Sequence, residues 1–151
     1  MFHGLRSLQT LLLPNNRIES VEETLLKGLV SLTVFDMRNN CLAELSDKLF
    51  RGLENLEIVD LNGNELSQLK VDTFQGLKSL KCVELRSNRL DRLNVNTFKG
   101  LTKLALIDLS FNQLTNIDND TFNGLPHLRK IDLRANRYLK SDYLTNMNIV
   151  L

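Results

Sequence analysis

The chain has 151 residues, 42% of them apolar and 25% charged, with a formal net charge of +1. It is too apolar for a disordered chain and too near neutrality for a typical nucleic-acid binder, so no nucleic-acid partner is expected. No apolar run is long enough to span a bilayer, and two cysteines with no CxxC or HxxH spacing supply neither a disulfide scaffold nor a metal site.

Read from the N-terminus, the run Leu11–Leu13 is not taken as a signal-peptide core, because it is short, Gln9 interrupts it and no small-residue cleavage site follows. It belongs to a longer pattern. Gly4, Gly28, Gly52, Gly76, Gly100 and Gly124 are spaced 24 residues apart, and a leucine follows each. With that leucine as position 1, five complete repeats occupy residues 5–28, 29–52, 53–76, 77–100 and 101–124. A sixth starts at Leu125, and Phe2 to Gly4 read as the tail of a preceding one. These are rows 1 to 6 below. Positions 1, 4, 7, 9, 14, 17 and 22 are apolar in all 35 cases, so every row carries the same buried set. A period of this length indicates a solenoid.

Each slot has a physical reading. Apolar positions 7 and 9 flank polar position 8, the period of a short strand with one buried face. Successive rows then place their strands side by side, parallel and about 4.8 Å apart. Position 12 is asparagine in all six rows, Asn16, Asn40, Asn64, Asn88, Asn112 and Asn136. Its amide donates and accepts together, which suits a column that satisfies turn backbone. Phe2, Phe50, Phe74, Phe98 and Phe122 share position 22, with Leu26 in their place in row 1, and predict an aromatic spine. Glycine at position 24 suits a tight re-entry in which a side chain does not fit. No row buries its apolar set alone, so stacking is obligatory.

The pattern LxxLxxLxLxxNxL, closed by FxGL, resembles the leucine-rich repeat, in the 24-residue form found in Toll-like receptor and Slit ectodomains. The resemblance covers residues 1–138 in six in-phase copies. It implies an α/β repeat solenoid: a right-handed horseshoe with a concave parallel sheet and a mostly irregular or short-helical convex side. It also implies a non-enzymatic module that binds a protein ligand or co-receptor on the concave face. The implied setting is a secreted or cell-surface receptor of innate immunity, adhesion or guidance type.

Beyond Asn136 and Tyr138 the pattern fails, since Ser141 and Asn146 stand in apolar slots. Two readings of residues 139–151 stay open. Leu139, Tyr143, Met147 and Leu151 are spaced along one helical face behind Ser141 as N-cap, a capping helix. Alternatively Leu144, Met147 and Val150 open a seventh row cut off in mid-strand. Such ectodomains usually carry cysteine-rich flanks, by the same resemblance, and none is present. With uncapped rows at its ends the chain is expected to be part of a longer protein.

Functional residues are sought where the stack does not use them. Positions 6, 8 and 10 point outward from the strands. Position 8 reads Asp36, Asp60, Glu84, Asp108 and Asp132 after Leu12, an acidic stripe; position 10 supplies Arg38, Arg86 and Arg134. The acids alone are read as keeping the face soluble, and together with the arginines they form a candidate strip. Beside them Val34, Ile58, Cys82 and Leu106 make an apolar column at position 6, bounded by Thr10 and Lys130. Contiguous exposed apolar surface of this kind marks interfaces. Phe111, at position 11, is either a cover for the turn or a binding anchor beside Leu106 and Asp108.

Residues 1–76 are net −4 and residues 77–151 net +5, which either steers a charged partner and promotes head-to-tail self-association or is a solvated surface without consequence. Cys41 and Cys82 lie two rows apart, beyond the roughly 7 Å that a disulfide allows, and are expected to be free thiols. Free thiols favour an intracellular scaffold as the alternative setting. Asn119-Asp120-Thr121 is the one glycosylation sequon. His3 and His127 stand at opposite ends of the repeat array and cannot form one site, and no P-loop, GxSxG or carboxylate pair in a pocket suggests catalysis or a cofactor.

Overall fold

In the computed structural model, which describes residues 2, 4–137, 139 and 149–150, the rows wind into a solenoid. Each contributes a three-residue strand: β1 Thr10–Leu12, β2 Val34–Asp36, β3 Ile58–Asp60, β4 Cys82–Glu84, β5 Leu106–Asp108 and β6 Lys130–Asp132. Ile149–Val150 adds β7. The seven strands form one parallel sheet in chain order. From β1 to β6 each residue pairs with the one 24 further on, as in Val34 with Ile58 and Ile58 with Cys82. Position 7 is buried in every row, while the residues on either side of it are mostly exposed or half-buried. A one-residue slip would turn Phe35, Val59, Val83 and Ile107 out to solvent, which is why the uniform period fixes a uniform register.

β7 pairs Ile149 with Ile131 and Val150 with Asp132. That register puts Ile149 at the position 7 level, one residue ahead of the Leu144, Met147, Val150 spacing. The capping helix expected from Ser141, Tyr143, Met147 and Leu151 lies outside the described residues, as do Leu144 and Met147 of the alternative.

The asparagine column holds the strand exits together. Asn64 Nδ2 donates to Leu61 O of its own row at 3.0 Å and to Met37 O of the row before at 3.0 Å. Its Oδ1 accepts from Leu42 N at 3.1 Å. Asn40, Asn88, Asn112 and Asn136 repeat the scheme. Asn16 is exposed and donates only to Leu13 O and Pro14 O. On the opposite side Phe50, Phe74, Phe98 and Phe122 stack with centroids 6.0, 6.1 and 6.0 Å apart. Phe35, the one aromatic among the buried strand residues, meets Phe50 edge-on at 5.7 Å.

The return segments are turns closed by i to i−3 bonds, such as Leu49 N to Ser46 O at 3.2 Å and Thr73 N to Lys70 O at 3.1 Å. Row 5 tightens this into a 3-10 helix, Asn119–Phe122, capped by the Asp118 carboxylate on Asp120 N. Gly28, Gly52, Gly76 and Gly100 have φ between +82° and +87°, and a Cβ on any of them would meet nothing within 4 Å. The re-entry therefore demands glycine for its dihedral and not for lack of space, a correction to the steric expectation.

Candidate functional site

One face of the sheet is packed on the core and the other carries positions 6, 8 and 10. At position 6, Ile58 is exposed and Val34, Cys82 and Leu106 are half-buried, side by side across β2 to β5. Thr10 and Lys130, both exposed, bound the column.

The acidic stripe is not uniform. Asp36 and Asp132, expected to point freely outward, are buried, at 5% and 1% exposure. The cause is the arginine two residues on. Arg38 covers Asp36 at 3.3 Å, and Arg134 holds Asp132 through contacts of 2.7 to 3.2 Å, with Lys130 at 3.8 Å behind it. Asp60, Glu84 and Asp108 stay half-buried. Asp60 shares Arg38 at 3.8 Å. Glu84 and Asp108 have no ion-pair partner among the described residues.

Four of these acids also do structural work. Asp36, Asp60, Asp108 and Asp132 each accept the backbone N–H two residues on, at 3.0, 3.0, 2.8 and 3.2 Å. Aspartate has the right reach for this local turn. Glu84, one methylene longer, does not take that bond. Arg86 N donates instead to Asn62 Oδ1 at 2.7 Å, and the Glu84 carboxylate accepts from Cys82 Sγ and Asn62 Nδ2, both at 3.4 Å.

Electrostatics follow these contacts. Burial raises the Asp60 pKa, with the charges of Asp36 and Glu84 adding to it against the Asn62 N–H and Arg38. Burial, then the Glu84 carboxylate, pushes the Cys82 thiol up to about 12, so it stays protonated and unreactive. The hydrogen bond from Arg134 holds Asp132 below the usual carboxylate value and in return raises Arg134. Cys41 and Cys82 are both free.

Position 11 carries a feature that the sequence reading missed. Asn15, Asn39, Gly63, Ser87, Phe111 and Ala135 all have φ between +55° and +63°. Asparagine, glycine and serine there were the available signal; phenylalanine and alanine obscure it, because neither favours this region. Phe111 is 48% exposed in that conformation, and the Arg86 guanidinium lies 4.4 Å from its ring centroid.

The charge asymmetry is used locally. Glu54, Glu57 and Glu65 of row 3 pair with Lys78, Lys81 and Arg89 of row 4 at 3.1, 2.8 and 3.0 Å. A scan for opposite charges 24 residues apart would have found all three. Away from the sheet, a groove of about 550 Å³ lies between return segments 68–71 and 92–94 and includes exposed Val71. Asn119 is exposed on the 3-10 helix. Among the described residues no cluster could hold a metal ion, and no helix is long and apolar enough to cross a membrane.

Comparison with known proteins agrees with this architecture. The family model described as leucine rich repeat matches residues 6–66, 31–90 and 78–137. No curated protein matches the chain. Among solved structures it is similar to the leucine-rich repeat protein LIC12759 of Leptospira interrogans, at 28% identity and a TM-score of 0.72 over 82% of this chain. It is also similar to the leucine-rich repeat domain of APL1B, at 25% identity and a TM-score of 0.78 over 85% of this chain. The matches cover 30% and 38% of those two chains, so this sequence spans well under half of either.

Proposed function

We propose, from the premise that this chain belongs to the leucine-rich repeat family, that its open sheet face recognises a protein ligand as part of a secreted or cell-surface receptor. Leucine-rich repeat domains are in general protein-interaction modules and not typically enzymes. The observation that carries the reading is the apolar column Val34, Ile58, Cys82 and Leu106. It lies on a sheet face that no helix covers among the described residues. Buried Asp36 and Asp132 drop out as contact residues; Asp60, Glu84, Asp108, Arg86 and Phe111 stay in.

Ile58→Asp and Val71→Asp test this together. Both residues are exposed, at 38% and 42%, and each variant adds one carboxylate, the first on the sheet and the second in the return-segment groove. A protein partner isolated by affinity capture should lose at least tenfold in affinity with the first and keep it with the second, as for a charge placed in an apolar interface. Retention by Ile58→Asp would remove the sheet face as the site. The two free thiols favour a second setting, an intracellular scaffold using the same face. The mass of the endogenous protein before and after glycosidase separates them: the receptor reading expects a shift that Asn119→Gln reduces, and the scaffold reading expects none.

A further inference from the structure

The six rows act as an internal comparison: what the fold needs recurs in each row, and what recurs in none needs another explanation. Departures occur in rows 1 and 3, at Leu12, Pro14 and Asn62, but those of rows 4 and 5 adjoin one another. Position 8 is aspartate in rows 2, 3, 5 and 6 but Glu84 in row 4. Position 10 offers Arg38 and Arg134 to their own rows' acids, while Arg86 is turned onto Phe111 and row 5 has Ser110. Position 11 holds a large apolar side chain only at Phe111, in a backbone conformation that costs a phenylalanine about 1–2 kcal/mol. The outcome is one place on the sheet where two neighbouring carboxylates, Glu84 and Asp108, have no ion-pair partner among the described residues. They stand beside half-buried Leu106 and exposed Phe111. Glu84 is also held in place, one oxygen by Cys82 and the other by Asn62, both neutral donors.

We propose that rows 4 and 5 bind a basic, apolar-flanked segment of the protein partner, with Glu84 and Asp108 receiving two cationic side chains while Leu106 and Phe111 take an apolar one. This rests on the reading of the sheet as the recognition face and adds the chemistry of what it recognises. Charge complementarity selects the occupant: elsewhere on the stripe Arg38 and Arg134 already pair with Asp36, Asp60 and Asp132, so only here does an incoming cation meet carboxylates with no direct ion pair. Phe111 already accepts one guanidinium on its face, that of Arg86. Spacing sets the motif. Neighbouring rows are about 4.8 Å apart and an extended chain advances about 3.3 Å per residue, so the two basic residues stand one or two positions apart.

The test is selection of a random displayed-peptide library on the immobilised chain, then anisotropy with the enriched peptide. The expected enrichment is paired Lys or Arg next to an apolar residue. Binding should weaken about tenfold when Glu84→Gln and Asp108→Asn are combined, the sum of two partly exposed charge pairs, and should weaken again in high salt. Both replacements keep an acceptor oxygen, so the turn at Ser110 survives, and the parent's circular dichroism should be retained. Enrichment of acidic or uncharged peptides, or none at all, overturns the proposal. Basic peptides that ignore the double variant but are lost with Leu106→Ala overturn it while leaving the recognition face standing. Basic peptides lost only with Val71→Asp overturn both.

Discussion

An asparagine at position 12 is a polar side chain that the stack buries in rows 2 to 6, and its value depends on having a neighbour. Asn88 donates to Leu61 O and Leu85 O, and its Oδ1 accepts from Leu66 N, all in buried surroundings. Asn88→Ala leaves these backbone groups unpaired and should cost about 3 kcal/mol, since each buried orphan costs about 1–3 kcal/mol. Asn16→Ala, at an exposed site bonded within its own row, should cost under about 1 kcal/mol; urea midpoints compare the two. The acids of the stripe diverge in the same way. Asp132, held below the ordinary carboxylate value by Arg134, adds stability that is present above that value and lost as pH falls through its lowered folded pKa. Asp60, raised by burial, does the opposite: its ionised form costs stability above its folded pKa, and the cost is relieved as pH falls through it. At pH 7 Asp132→Asn should therefore be less stable than the parent and Asp60→Asn more stable. Both differences should vanish in acid below the carboxylate range. From sequence the two aspartates were one stripe, because burial under an arginine depends on where each guanidinium settles.

At the scale of elements, strand, asparagine turn and phenylalanine spine were legible because each repeats in phase. Six copies leave no ambiguity about which face of Val59 or Val83 points inward. What stayed hidden were relations that the period does not enforce: the positive φ at Phe111 and Ala135, the Arg86 contact with Phe111 at an offset of 25 residues, and the compact 3-10 turn of row 5. The spine can be tested by what it already tolerates. Leu26 occupies the phenylalanine slot of row 1 and is fully buried there, so Phe98→Leu should cost about 1 kcal/mol, as for swaps near constant volume. Phe98→Ala removes a ring stacked on both Phe74 and Phe122 and should cost about 3–5 kcal/mol. Thermal melts that ranked the two equally would mean that the column is filled by volume alone.

For the whole molecule, stability is a sum over rows and the seams between them, because each row touches only its neighbours. The seam between rows 3 and 4 differs from the others in carrying three exposed ion pairs, Glu54–Lys78, Glu57–Lys81 and Glu65–Arg89. Such pairs are worth about 0.2–1 kcal/mol each and weaken in salt. They also explain where the acidic first half and basic second half of the chain meet: much of that contrast is neutralised internally, which weakens the case for head-to-tail association. Excising residues 53–76 tests the additive picture. Row 2 would then stack on row 4, with Val34 opposite Cys82, Phe50 over Phe98, and Asn88 Nδ2 donating to Met37 O in place of Leu61 O. The shortened chain should keep its circular dichroism and a cooperative melt, at a lower temperature for having one row fewer and three unpaired cations on row 4. Part of that loss should return when Lys78, Lys81 and Arg89 are also replaced by glutamine. Excising residues 53–64 instead runs position 24 into position 13, breaks the asparagine, strand and phenylalanine columns at once, and should abolish the cooperative transition. Equal melts for the two deletions would mean that the rows are held by something other than their register.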